Sequence, residues 1–126
     1  MGTYTEIFVK ACLKKDIDDL SINVLKYLFA EGVEPEQLPD HKFFSTERWD
    51  RIGSSHSYYH IPFYTSSLLF DEIGNCYYLV SRSDLKNYDD EIDLFFDWFK
   101  NLVNYKDNFI GYSLCENDRE PKLFFS

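Results

Sequence analysis

All three histidines of the chain, His41, His56 and His60, fall between residues 41 and 70, together with Arg48, Arg51, Trp49, Tyr58, Tyr59 and Tyr64. Imidazoles change protonation near neutral pH. Guanidinium groups grip carboxylates and phosphates bidentately, and aromatic rings wall small-molecule sites. Arg48 and Arg51 share a face if Ser45 opens a helical turn; in a structural role they pair with Glu47, Asp50 or other acids. Trp49 and Ile52, three apart, read as packing inward. His56 and His60 have a spacing that chelates a metal on a helix. Here Ser57-Tyr58-Tyr59-His60-Ile61-Pro62 reads as a strand, which separates positions four apart by about 13 Å. No metal and no cofactor is therefore expected. Ser54, Ser55 and Ser57 flank His56 without the strained G-x-S-x-G elbow of a serine hydrolase, so Gly53-Ser54-Ser55-His56 reads as a turn. There is no P-loop, dinucleotide fingerprint or H-E-x-x-H, and no catalytic residue is assigned.

A second group is acidic. Asp89, Asp90, Asp93 and Asp97 lie off the apolar stripe of a helix. They either solvate that helix and suit its positive end, or form a recognition surface for a basic protein partner. The chain carries 13 Lys+Arg against 22 Asp+Glu, a formal charge of −9. Residues 41–70 depart from this balance, with Lys42, Arg48 and Arg51 against Glu47 and Asp50. The body is acidic and one segment is close to neutral, polar and aromatic. Such acidity excludes generic nucleic-acid binding and an electrostatic grip on anionic membranes, both of which need clustered cations. Phe109-Ile110-Gly111-Tyr112 lacks the basic start of an RNA-binding strand motif. With 19% aromatic residues, the chain has ample surface to bury and is not a disordered type.

Cys12, Cys76 and Cys115 are odd in number and widely spaced, without C-x-x-C. They read as buried inert thiols of a reduced, cytoplasmic protein. The start of the chain has neither the basic and apolar regions of a signal peptide nor a myristoylation pattern. No apolar run approaches the roughly 18 residues of a membrane span.

The elements that must position these residues are legible from periodicity. Ile7, Val9, Ala11 and Leu13 alternate with Glu6, Lys10 and Lys14, a strand with one buried face. Tyr4, Phe8 and Cys12 fall on its other face, which suggests that this face is covered too. Asp16 is a candidate N-cap for a helix carrying Ile22, Leu25, Leu28 and Phe29, with Gly32 at its end. A two-proline loop, Val33 to Asp40, follows. Tyr58 to Glu72 reads as extended, Gly74-Asn75 as a turn, and Cys76 to Ser83 as the return strand. Asn87 is placed to cap a second helix, on which Ile92, Phe95, Phe96, Phe99, Leu102 and Val103 form the strongest periodic signal. Lys100 is placed to pair with Asp97. Phe109 to Cys115 and Pro121 to Ser126 are further strands. Residues 1–126 thus read as one α+β domain: an antiparallel sheet with two helices on one face. The order is the ferredoxin-like β-α-β-β-α-β, with an extra C-terminal strand and a long insertion before the second strand.

Two functional readings follow. The first is a non-enzymatic acidic interaction protein of the inhibitor or immunity type. It binds a protein partner of basic character through the second-helix acids, or a second copy of itself through the other sheet face. The alternative is a small-molecule-binding domain or enzyme with a pocket built from Arg48, Trp49, Arg51, His56, Tyr58, Tyr59, His60 and Tyr64.

Overall fold

The computed structural model describes residues 3–57 and 61–126. Its strands are β1 (Thr5–Cys12), β2 (Thr65–Asp71), β3 (Cys76–Leu85), β4 (Phe109–Cys115) and β5 (Lys122–Phe125); its helices are α1 (Asp19–Phe29) and α2 (Glu91–Phe99). Short 3-10 turns occupy Lys42–Ser45, Trp49–Arg51 and Lys100–Leu102. All strand pairs are antiparallel and the sheet order is β2-β3-β1-β4-β5. The protein is therefore α+β with a five-stranded antiparallel sheet and two helices. That order differs from a four-stranded ferredoxin-like sheet, because β5 extends the sheet beyond β4.

Alternation on β1 does what its period of two requires. Ile7, Val9, Ala11 and Leu13 are buried in one cluster with Ile22, Leu25, Leu28 and Phe29 of α1 and Ile92, Phe95, Phe96 and Phe99 of α2. Phe29 meets Phe95 edge to face at 5.9 Å, so the two helices join over that sheet face.

Two local expectations need correction. The N-cap of α1 is Asp18 rather than Asp16: its carboxylate accepts from the Ser21 backbone N–H at 3.1 Å, which satisfies an orphan donor of the first turn. The left-handed residue after α1 is Glu31 rather than Gly32. Glycine is needed at position 32 for a different reason: a Cβ there would lie 2.7 Å from the Lys26 carbonyl carbon. Asn87 does cap α2 as expected: it accepts from Ile92 N at 2.9 Å, reaching past Asp90, the residue at the helix boundary, whose own side chain makes no cap bond. The Lys100–Asp97 pair forms at 3.1 Å. Of the extended segment expected from Tyr58 to Glu72, the first three residues lie outside the described residues, and regular strand runs over Thr65–Asp71.

The long insertion finishes the core. His41 Nδ1 accepts from Phe43 N at 3.0 Å, which leaves the ring proton on Nε2 to donate to Asp97 at 2.9 Å. That bond ties the insertion to α2. Phe43 then sits among Phe44, Trp49, Phe95 and Trp98, with ring centroids 4.9 to 6.4 Å apart. Trp98 lies off the α2 stripe, yet it is buried because Phe43 and Phe44 cover it. Further along, the carbonyls of Ile52 and Gly53 accept hydrogen bonds from Ser83 Oγ and Ser66 Oγ, pinning the segment over the inner side of β2 and β3.

Candidate functional site

Strand register assembles a second, outward sheet face. One row crosses all five strands: Thr65, Arg82, Phe8, Tyr112 and Leu123 are successive cross-strand neighbours. Beside it run Ser67, Val80 and Lys10, then Leu69, Tyr78 and Cys12. On the other side run Asp84, Glu6 and Leu114. Phe8 stacks on Tyr112 at 5.4 Å, and Lys10 sits over the Phe109 ring, which meets Phe125 edge to face. Leu69, Tyr78, Val80, Leu123 and Phe125 are between 44% and 67% exposed. These open apolar side chains share the face with the charged Arg82 and Lys10.

Its polar centre is Glu6. The buried carboxylate receives Arg82 Nε at 3.2 Å and Nη2 at 3.4 Å, a two-pronged pair, and the Tyr112 hydroxyl donates to Oε2. Next to Glu6, buried Asp84 accepts from Ser57 Oγ at 2.5 Å. The carboxylate neighbour raises the Arg82 guanidinium above its ordinary range. Burial and the Glu6 carboxylate push Tyr112 up to about 12. The phenol therefore stays a donor across neutral pH and is not tuned for proton transfer there.

A consequence is measurable. The Tyr112 pKa is raised in the folded chain from about 10 to about 12. Its contribution is fully present below pH 10 and is lost as pH rises through 12. Alkaline unfolding of the wild type should steepen in that window, and Tyr112→Phe should flatten it. Denaturant titrations between pH 9 and 12 measure this; identical pH profiles for the two proteins would contradict it.

The residues singled out by sequence fall into separate neighbourhoods. Arg48 Nη1 lies 3.9 Å from buried Glu91 and 3.5 Å from Glu47, and its guanidinium covers the Tyr88 ring. Trp49 packs on Tyr27, Phe43 and Phe44. Arg51 is exposed. His56 stacks on Tyr64 at 6.3 Å, and Tyr64 also lines a cavity of about 410 Å³ with Tyr27, Phe29 and Ser66. Tyr58, Tyr59 and His60 lie outside the described residues. Of the acids, Asp89 accepts from Glu47 N, Asp93 pairs with Lys122 at 3.0 Å, and Asp97 serves His41 and Lys100, which hold its carboxyl below the usual range. Asp90 is exposed at the start of α2.

Sequence reasoning met Glu6, Ser57 and Tyr112 only as parts of other patterns and did not bring them together with Arg82 and Asp84. The available signal was Glu6 sharing a strand face with Phe8, a charge set beside an aromatic on the mixed face of β1. Among the described residues, no group of three or more His, Cys, Asp and Glu side chains could hold a metal ion, and no helix is long and apolar enough to cross a membrane. No family model, curated protein or solved structure matches this chain.

Proposed function

We propose that this protein is a small acidic interaction module, not an enzyme, whose outward sheet face binds a second copy of the chain. The observation that carries this reading is the row running from Arg82 through Phe8 and Tyr112 to Leu123, flanked by exposed Leu69, Tyr78, Val80 and Phe125. Charge favours a like partner. The strand positions of this face hold Lys10 and Arg82 against Glu6, Asp71 and Asp84, whereas the whole chain is at −9. Two copies meeting sheet to sheet keep their acidic helices on opposite outer sides, where repulsion is screened within about 8–10 Å. The acidic side offers less to a basic partner, because Asp89, Asp93 and Asp97 already serve groups of this chain. The ferredoxin-like description belongs to the same reading. It is supported by the chain order β-α-β-β-α-β up to β4 and by β1 lying between β3 and β4.

Area sets the expected strength. Five strands about 4.8 Å apart and some 20 Å long present roughly 500 Å² per copy, about 1,000 Å² for the pair. That is the lower limit of a specific interface, so a micromolar dimer is expected rather than a permanent one. Light scattering behind size exclusion should show mass rising from monomer towards dimer between about 1 and 200 μM. Val80→Glu, which places a charge in the middle of the face, should weaken the association at least tenfold and leave the circular dichroism spectrum unchanged. A wild type that remains monomeric up to 200 μM would remove the reading.

A further inference from the structure

Cys12 ends β1 and Cys76 begins β3. The register sets Cys12 opposite Tyr78, so Cys76 is its diagonal neighbour on the same outward face. The two Sγ atoms stand 3.0 Å apart, and a disulfide of about 2.05 Å needs them to close by only about 1 Å. The third thiol has no part in this. Cys115 pairs with Thr5 at the opposite end of β1, seven residues and roughly 23 Å along the strand from Cys12. The inert, separated thiols expected from sequence are therefore, in two cases of three, a vicinal pair created by strand pairing.

We propose that Cys12 and Cys76 form a reversible disulfide within the chain, made by hydrogen peroxide and broken by a dithiol reductant. Access decides the order. Both thiols line cavities, Cys12 one of about 490 Å³ with Lys10, Tyr78 and Phe109 and Cys76 one of about 470 Å³ with Phe70 and Tyr77, but Cys12 is half-buried and Cys76 is buried. The Cys12 thiolate attacks one peroxide oxygen, the O–O bond breaks, and the departing hydroxide takes a proton to leave as water; Cys12 is then a sulfenic acid. The Cys76 sulfur attacks the Cys12 sulfur, the S–O bond breaks, and the second hydroxide leaves as water with the Cys76 proton. The two thiols have given two electrons and the peroxide has become water. In reverse, a dithiol attacks one sulfur, forms a mixed disulfide, and releases both cysteines as it closes its own. Burial and the neighbouring Cys76 push the Cys12 thiol up to about 11, so the thiolate is scarce at neutral pH and the reaction is slow there. The bond would clamp the central strands β1 and β3 across residues 64 apart in sequence.

The test uses the full chain at about 1 μM, where the sheet-to-sheet dimer proposed above is dissociated, so the two proposals fail separately. After hydrogen peroxide, alkylation and mass spectrometry should find one reactive thiol per chain instead of three, at Cys115. A peptide joining Cys12 to Cys76 and two hydrogens lighter than its parts should appear. Dithiothreitol should restore all three thiols. The oxidation rate should climb about tenfold per pH unit from 7 to 10, and the oxidised protein should melt roughly 10 °C higher. Cys115→Ser should behave like the wild type. Equilibration in glutathione buffers gives a second measurement that does not depend on rate or on any variant. Three thiols surviving both peroxide and oxidised glutathione, or a bond that joins two chains or uses Cys115, would overturn the proposal.

Discussion

Gly111→Ala should destabilise the fold by about 3 kcal/mol or more, a larger loss than a point mutation usually brings. A Cβ at this position would lie 2.0 Å from the Phe8 carbonyl oxygen and 2.7 Å from Cζ of the Phe96 ring. The first neighbour is backbone in the middle of the sheet and cannot turn aside. β4 passes Gly111 beside a register irregularity between Phe109 and Gly111. A bulge there brings two main chains together where only a glycine fits. Relief requires β4 to move away from β1, which would break the contacts made by Tyr112 with Phe8 and Glu6. Urea unfolding should show the midpoint falling with little change in slope. Shortening the Phe96 ring should not rescue the variant, since the Phe8 carbonyl remains. A loss below about 0.5 kcal/mol would mean that the close approach of β4 to β1 is wrong.

Phe43→Ala should remove about 4 kcal/mol, within the range for deleting a fully buried phenylalanine. Phe43 has no exposed surface and touches rings from both its own insertion and α2. Removing it opens a cavity between Phe44, Trp49, Phe95 and Trp98, in a cluster too crowded to collapse around the gap. The aromatic edge-to-face contacts are lost as well. Tyr64→Ala, at an exposed position of the same long connection, should stay within about 0.5 kcal/mol. The contrast tests whether Phe43 is a core position of the insertion and Tyr64 a surface one. Equal effects at the two positions would refute that division.

That division answers the question raised by the near-neutral aromatic segment. Phe44 and Trp49 complete the core, and Arg48 turns to Glu91 and Tyr88. His56 and Tyr64 stack on each other further along the connection. Periodicity could not sort these residues, because a 3-10 turn of three or four residues is too short to show a stripe. Its partners on α2 are more than forty residues away. Trp98 illustrates the same limit: by helical phase alone it sits beside the stripe, and only the docking of Phe43 and Phe44 buries it.

What the sequence determined by itself is whatever repeats within one or two turns of chain. The buried face of β1, the Ile92–Phe99 stripe of α2, the Gly74-Asn75 turn and the Lys100–Asp97 pair are of this kind, and so is the α+β class with an antiparallel sheet and two helices. Each depends on side chains that meet because they are three, four or two residues apart. Tertiary structure alone decided the contents of the outward sheet face. Glu6 meets Arg82 from 76 residues away and Tyr112 from 106, and Cys12 meets Cys76 from 64. These meetings depend on strand order and register, and a slip of one residue sends every side chain of a strand to the opposite face. Register is set by the whole core on the other side of the sheet. The surface proposed to bind a second copy is thus determined by residues that never touch it.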